Sequence, residues 1–120
     1  MLDVLPESES NVLILHATGK LTDDDYQRVL IPRLEAIIEA YGKARILIEM
    51  KEDFEGWELG AAWEDAKLGV RHRTDFEKMA VVGAPQWVDW GAKIGAHFMS
   101  GELRTYDEDD FDDALDWIQH

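Results

Sequence analysis

Between Val12 and Met50 the chain runs from a short apolar stretch, Val12–Ala17, through a helical pattern into Ala44–Met50, where Ile46, Leu47 and Ile48 are contiguous. An unbroken β-branched and leucine run suits a strand covered on both faces, and two strands joined through a helix must pair in parallel. This pattern commits the chain to an α/β architecture. The intervening helix is announced by Thr22 followed by Asp23, Asp24 and Asp25, an N-cap with acids facing the positive end of the helix dipole. Tyr26, Val29, Leu30, Leu34, Ile37, Ile38 and Tyr41 then form one buried stripe, which Gly42 closes. Pro32 falls inside that stripe, removing a donor and crowding the carbonyl of Arg28, so the helix is expected to kink or restart there.

The same alternation continues to the C-terminus. Leu2–Leu5 and Val12–Ala17, separated by the turn-rich Pro6–Asn11, read as a hairpin. Leu59, Ala62, Trp63, Ala66 and Val70 define a second helix. Met79–Val82 reads as a buried strand, Pro85–Met99 as a third helix, Leu103–Tyr106 as a last strand, and Phe111, Ala114, Leu115 and Ile118 as the final helix. The expectation is one domain over residues 1–120: a mixed five-stranded sheet with four helices in the order ββαβαβαβα, an antiparallel hairpin feeding right-handed crossovers.

Charge and composition narrow the partners. Twelve basic residues against 26 acidic give a net charge of −14, which repels nucleic-acid backbones and anionic lipid head groups. Cysteine is absent, which excludes disulfides, thiolate catalysis and thiolate metal sites. No apolar run is long enough for a membrane span, and the acidic start lacks the cationic region of a signal peptide, so a cytoplasmic protein is expected. The densest acidic cluster, Asp107 to Asp116, reads as a helix start with Asp107 at the N-cap. It lacks the glycine turn and distal Glu of a calcium loop.

Catalytic patterns are missing. His16, His72, His97 and His120 never stand at the spacing of a helical metal pair, and His16 reads as a hydrogen-bonded strand residue. No serine sits in a nucleophile elbow, and no spaced glycines cradle a phosphate. Glu55, Glu58, Glu64 and Asp65 could supply paired carboxylates, but acids are so abundant that chance pairs are expected. The expectation is no enzymatic activity, no metal and no cofactor.

The blocks Leu21–Tyr26, IPRLEAIIEAYGKARILIEM (Ile31–Met50), FEGWELGAAWEDAKLG (Phe54–Gly69), EKMAVVG (Glu77–Gly83) and FDDALDWI (Phe111–Ile118) together resemble the SpoIIAA-like family, over nearly the whole chain. That resemblance implies the STAS-type fold, whose layout is also similar to CRAL-TRIO lipid-transfer domains. Anti-sigma factor antagonists of this type carry a phosphorylatable Ser or Thr after the third strand, where phosphate switches partner binding. Here the segment reads Lys51-Glu52-Asp53-Phe54-Glu55-Gly56-Trp57, and no hydroxyl residue occurs anywhere from Gly42 to Arg73. Fixed negative charge stands where the switchable charge would be.

The tryptophans prompt a second expectation. Trp87 and Trp90 share a face with Ile94 and Phe98 on a helix weakened by Gly91 and Gly95, each costing about 1 kcal/mol relative to Ala. Such a helix is a candidate lid over an apolar cleft lined by Trp57 or Trp63, Leu59, Trp87, Trp90, Ile94 and Phe98. The cleft would take an apolar or amphiphilic, lipid-like small molecule, with Lys67 and Arg71 contacting an anionic head group and the lid touching a membrane peripherally. A protein–protein regulatory module around Phe54–Trp63 is the alternative, and pairing of the tryptophan stripes would make a homodimer.

Overall fold

The structure is a computed structural model, and it describes residues 1–6, 8–58, 60, 67, 75–85 and 101–120. Strands β1 (Leu2–Val4) and β2 (Val12–Ala17) form the expected hairpin, with Leu2 opposite Ala17 and Asp3 opposite His16. Ser8 closes the connector: its Oγ accepts from the Ile14 N–H at 2.9 Å. Short polar side chains of this kind satisfy backbone groups that a tight turn would otherwise orphan.

A two-residue strand β3 (Lys20–Leu21) leads into a capping box. The Asp25 N–H donates to Thr22 Oγ1 at 3.2 Å, and the Thr22 N–H donates to Asp25 Oδ2 at 2.8 Å. The helical run starts as α1 (Asp23–Asp25), widens into a π-helical turn (Tyr26–Leu30), and continues as α2 (Ile31–Tyr41). The restart expected at Pro32 is this π turn. In a regular helix Pro32 would owe a hydrogen bond to the Arg28 carbonyl that it cannot make; instead the turn loosens before it, and the Ile31 N–H reaches back five residues to Tyr26 O. Gly42 ends α2 in the left-handed region at φ 82°.

Strands β4 (Ala44–Met50), β6 (Phe76–Val82) and β7 (Glu102–Tyr106) complete a five-stranded mixed sheet in the order β1-β2-β4-β6-β7, parallel except for the first pair. Leu13, Leu15, Ala17, Ile46 and Met50 face the α1–α2 run and meet Tyr26, Leu30 and Leu34. Ile14, Leu47, Ala80 and Val82 face the opposite side, where Ala114 and Ile118 of α3 (Phe111–Gln119) cover them. The contiguous run in β4 is thus buried on both faces, as its composition requires.

Cations fasten the end of α3 to the sheet. Arg45 Nη1 donates to Ile118 O at 3.1 Å, and Lys78 Nζ donates to Trp117 O at 3.1 Å. Positive groups at a helix C-terminus satisfy its orphan carbonyls and oppose the dipole. Lys78 Nζ and Arg104 Cζ lie 5.0 and 4.6 Å from the centroid of the Trp117 ring.

Several expectations are corrected. Two long helices, α2 and α3, stand among the described residues where four were expected, and the element order differs from ββαβαβαβα. The two further helices fall on residues 59–70 and 85–99, which lie almost entirely outside the described residues. The order differs also because β3 pairs in parallel with a second short strand, β5 (Gly56–Trp57), a side sheet with no hydrophobic period long enough to announce it. Strand β6 begins at Phe76, three residues earlier than Met79: Phe76 pairs with Ala44 and Lys78 with Arg45, and the register shift between them leaves Glu77 without a partner in the ladder. Asp107 stands before a 3₁₀ turn (Glu108–Asp110), not at the start of α3, and its side chain makes no capping bond.

Candidate functional site

The C-terminal ends of β2 and β4 open onto the loop that follows β4 and onto the 3₁₀ turn that follows β7. Thr18, Glu49, Met50, Lys51, Glu52, Asp53, Glu108 and Asp109 line an open cleft of about 590 Å³ between them. In parallel sheets the loops beyond the carboxyl ends of the strands are where ligands and partners are met.

The β4–β5 loop is pinned at both ends, and the chain just after β5 is pinned as well. The Lys51 N–H donates to Ala17 O at 3.0 Å, the Glu55 N–H to Gly19 O at 2.7 Å, and the Glu58 N–H to Leu21 O at 2.8 Å. Phe54 is buried and meets the Trp57 ring edge-on at 5.3 Å. The Trp57 indole N–H donates to the Tyr26 hydroxyl at 2.7 Å. Two aromatic anchors therefore point inward, while Glu52, Asp53 and Glu55 stand exposed on the outside of the loop.

Glu49 is the best-sheltered acid of the cleft, its side chain 12% exposed. His16, opposite it in register, brings Nε2 to 2.6 Å from Glu49 Oε1, and Lys51 Nζ lies 3.6 Å from the same oxygen. These two contacts hold the carboxylate at the sheet end. Gly83 packs behind two of the lining residues, Met50 and Glu108. At φ 71° it turns the chain out of β6, and a methyl there would meet Met50 O at 2.8 Å and Glu108 Cβ at 3.4 Å. Only glycine lets these three backbones converge.

Next to this region, Asp25 titrates below its ordinary range. Burial raises its pKa, but the Thr22 N–H, the N-terminal ammonium and the Thr22 hydroxyl together outweigh that and lower it.

The cleft presents carboxylates from β4, from the following loop and from the 3₁₀ turn, against the single ammonium of Lys51. Such a surface attracts cationic groups and repels phosphate and carboxylate groups. Among the described residues, no group of three or more His, Asp or Glu side chains is placed to hold a metal ion. Nor is any helix of the described residues long and apolar enough to cross a membrane.

Of the residues expected to line an apolar cleft, Trp57 alone lies among the described residues, and its indole is engaged with Tyr26 and Phe54. Leu59, Trp63, Trp87, Trp90, Ile94 and Phe98 lie outside the described residues, as does Arg71; Lys67 is exposed. His16 is the hydrogen-bonded strand residue expected. Sequence reasoning missed Glu49, Thr18, Glu108 and Asp109 as neighbours. The acids at 107–110 were legible as a helix start, but nothing in the sequence says that this turn packs beside Met50.

A five-stranded mixed sheet with α1–α2 on one face and α3 on the other, its pinned loop following the central strand, defines a STAS-type α/β module. A SpoIIAA-like family model matches residues 12–119, and the chain belongs to that family. It is similar to the crystal structure of an uncharacterized DUF3478-family protein with a SpoIIAA-like fold from Shewanella loihica PV-4. The two are 30% identical, the match covers 98% of this chain and 93% of that one, and the TM-score is 0.78. No curated protein matches the chain.

Proposed function

We propose that this chain is a non-catalytic regulatory module that binds a protein partner through the acidic mouth of the sheet. The observation that carries this reading is the β4–β5 loop. Phe54 and Trp57 lock it to the body of the domain, while Glu52, Asp53 and Glu55 are held outward at the position where the family resemblance places a phosphorylatable hydroxyl. A phosphate-regulated surface alternates between neutral and charged states; this one is charged at all times. It therefore docks constitutively, and its partner carries lysine or arginine to meet the cleft. The SpoIIAA-like fold is consistent with such a module.

The lipid-like ligand first expected from the sequence gains no support from the described residues. The cleft that they form is acidic, and the tryptophan among them is packed against the protein itself.

Native mass spectrometry of protein captured from cells decides between them. Wild type is expected to retain a stoichiometric protein partner, and Glu52→Lys/Asp53→Lys is expected to lose it, with unchanged circular dichroism. A partner kept by the variant, or a bound apolar small molecule with no protein, refutes the proposal.

A further inference from the structure

Strand β7 is the edge of the sheet, and its phase can be read from one bond: the Gly83 N–H donates to Tyr106 O at 2.9 Å. Tyr106, and with it Arg104 and Glu102, therefore turn their backbone groups toward β6, while Leu103 and Thr105 turn theirs outward. Among the described residues those outward groups have no backbone partner. Among the described residues, the edge's protection against pairing is limited to the charges of Glu102 and Arg104. Its register with β6 is uninterrupted from Glu102 to Tyr106, and it contains no proline and no lysine. The other edge, β1, has only three residues.

Charge selects what can pair there. On a chain of net charge −14, the stretch from Glu102 to Tyr106 is neutral, carrying one acid and one base. The strand itself thus adds no net like-charge repulsion between two copies, the acids from Asp107 onward lying beyond its end. Glu102 and Arg104 share a face of the strand, their side chains 66% and 53% exposed and 3.7 Å apart. In an antiparallel pair of identical strands, the residue on the two-fold axis sets every other pairing. With Arg104 on the axis, two guanidinium groups would oppose each other. With Leu103 on the axis, Glu102 faces Arg104 of the second copy, twice, at the closely spaced positions without hydrogen bonds, while the outward backbone of Leu103 bonds to its own symmetry mate.

We propose that β7 is a homodimerisation edge. Two copies pair antiparallel about Leu103, joining their sheets into one of ten strands through reciprocal Glu102–Arg104 ion pairs. This surface is separate from the acidic cleft, so the dimer and the partner-binding proposal stand or fall independently.

Sedimentation equilibrium across a wide concentration range reads the dimer. Glu102→Arg, which sets like charges opposite each other twice, is expected to weaken it by about tenfold or more. The exchanged double variant Glu102→Arg/Arg104→Glu is expected to restore it, because the facing pairs are again opposite in charge. Thr105→Pro removes an outward donor without touching the β6 ladder and is expected to yield monomer. Circular dichroism and melting curves check that each variant folds. A measurement on the unaltered chain avoids that dependence: in a mixed sample of labelled and unlabelled protein, the Hα of Glu102 should show an intermolecular NOE to Hα of Arg104. A monomer at millimolar concentration overturns the proposal, as does a dimer lacking that NOE or one indifferent to Glu102→Arg.

Discussion

Replacing Ile118 by Ala tests how α3 is seated. Ile118 is fully buried against Ile14, Leu47, Ala80 and Val82, and with Ala114 it forms the buried centre of the α3 face. The substitution deletes three carbons, worth about 2.4 kcal/mol at ~0.8 kcal/mol each. The hole left behind, at most ~80 Å³, adds up to ~2 kcal/mol at ~24 cal/mol per Å³ if nothing relaxes into it. Arg45 and Lys78 hold the backbone of Ile118 and Trp117 in place, which limits such collapse. The expected loss is therefore about 2.5–4 kcal/mol, or roughly 10–15 °C in melting temperature for a chain of this length. Urea unfolding followed by tryptophan emission, checked by circular dichroism, should show a lower midpoint with an unchanged slope. A loss under about 1 kcal/mol would refute the seating of α3, and with it the placement of Glu108 and Asp109 beside the cleft.

Three other outcomes are expected. Asp25 has a lowered pKa in the folded state, so its contribution is present above the ordinary carboxylate value near ~3.9 and is lost as pH falls through the lower folded value. The stability gap between wild type and Asp25→Asn should accordingly narrow from pH 7 to pH 3; a gap that stays constant contradicts the carboxylate's role. Gly83→Ala should cost at least ~1–2 kcal/mol from its left-handed backbone alone, with more from the approach to Met50 O at 2.8 Å, as read in thermal melts. A neutral result would mean that Gly83 does not pack so tightly against Met50 and Glu108. A double-mutant cycle between Arg104→Ala and Trp117→Ala should give a coupling of about 0.5–1 kcal/mol by urea unfolding, and no coupling would remove the ring–guanidinium contact.

Much of the architecture was legible before any coordinates. The strand Ala44–Met50 was visible because a strand buried on both faces can be written only as a continuous apolar run, and the helix start at Thr22 because a capping box is local chemistry. The interruption at Pro32 follows from a missing donor, although its form, a π turn starting at Tyr26, did not. The cleft was the least legible part. Glu49 sits mid-pattern in a strand, and only its register opposite His16 and beside Lys51 turns it into a held carboxylate.

What the sequence alone determined is therefore what short-range forces decide: periodicity, caps, the parallel connection of strands through helices, and a strongly acidic surface. Tertiary structure decided which acids became neighbours. Residues 49–53 and 108–109 are far apart along the chain, and they share a cleft because β4 ends in the middle of the sheet and α3 returns across its face. It also decided that Trp57 spends its indole N–H on Tyr26, a contact across 31 positions that no local pattern encodes. Local sequence carries the energy of making elements, whereas the pairing of distant side chains is set by how those elements pack.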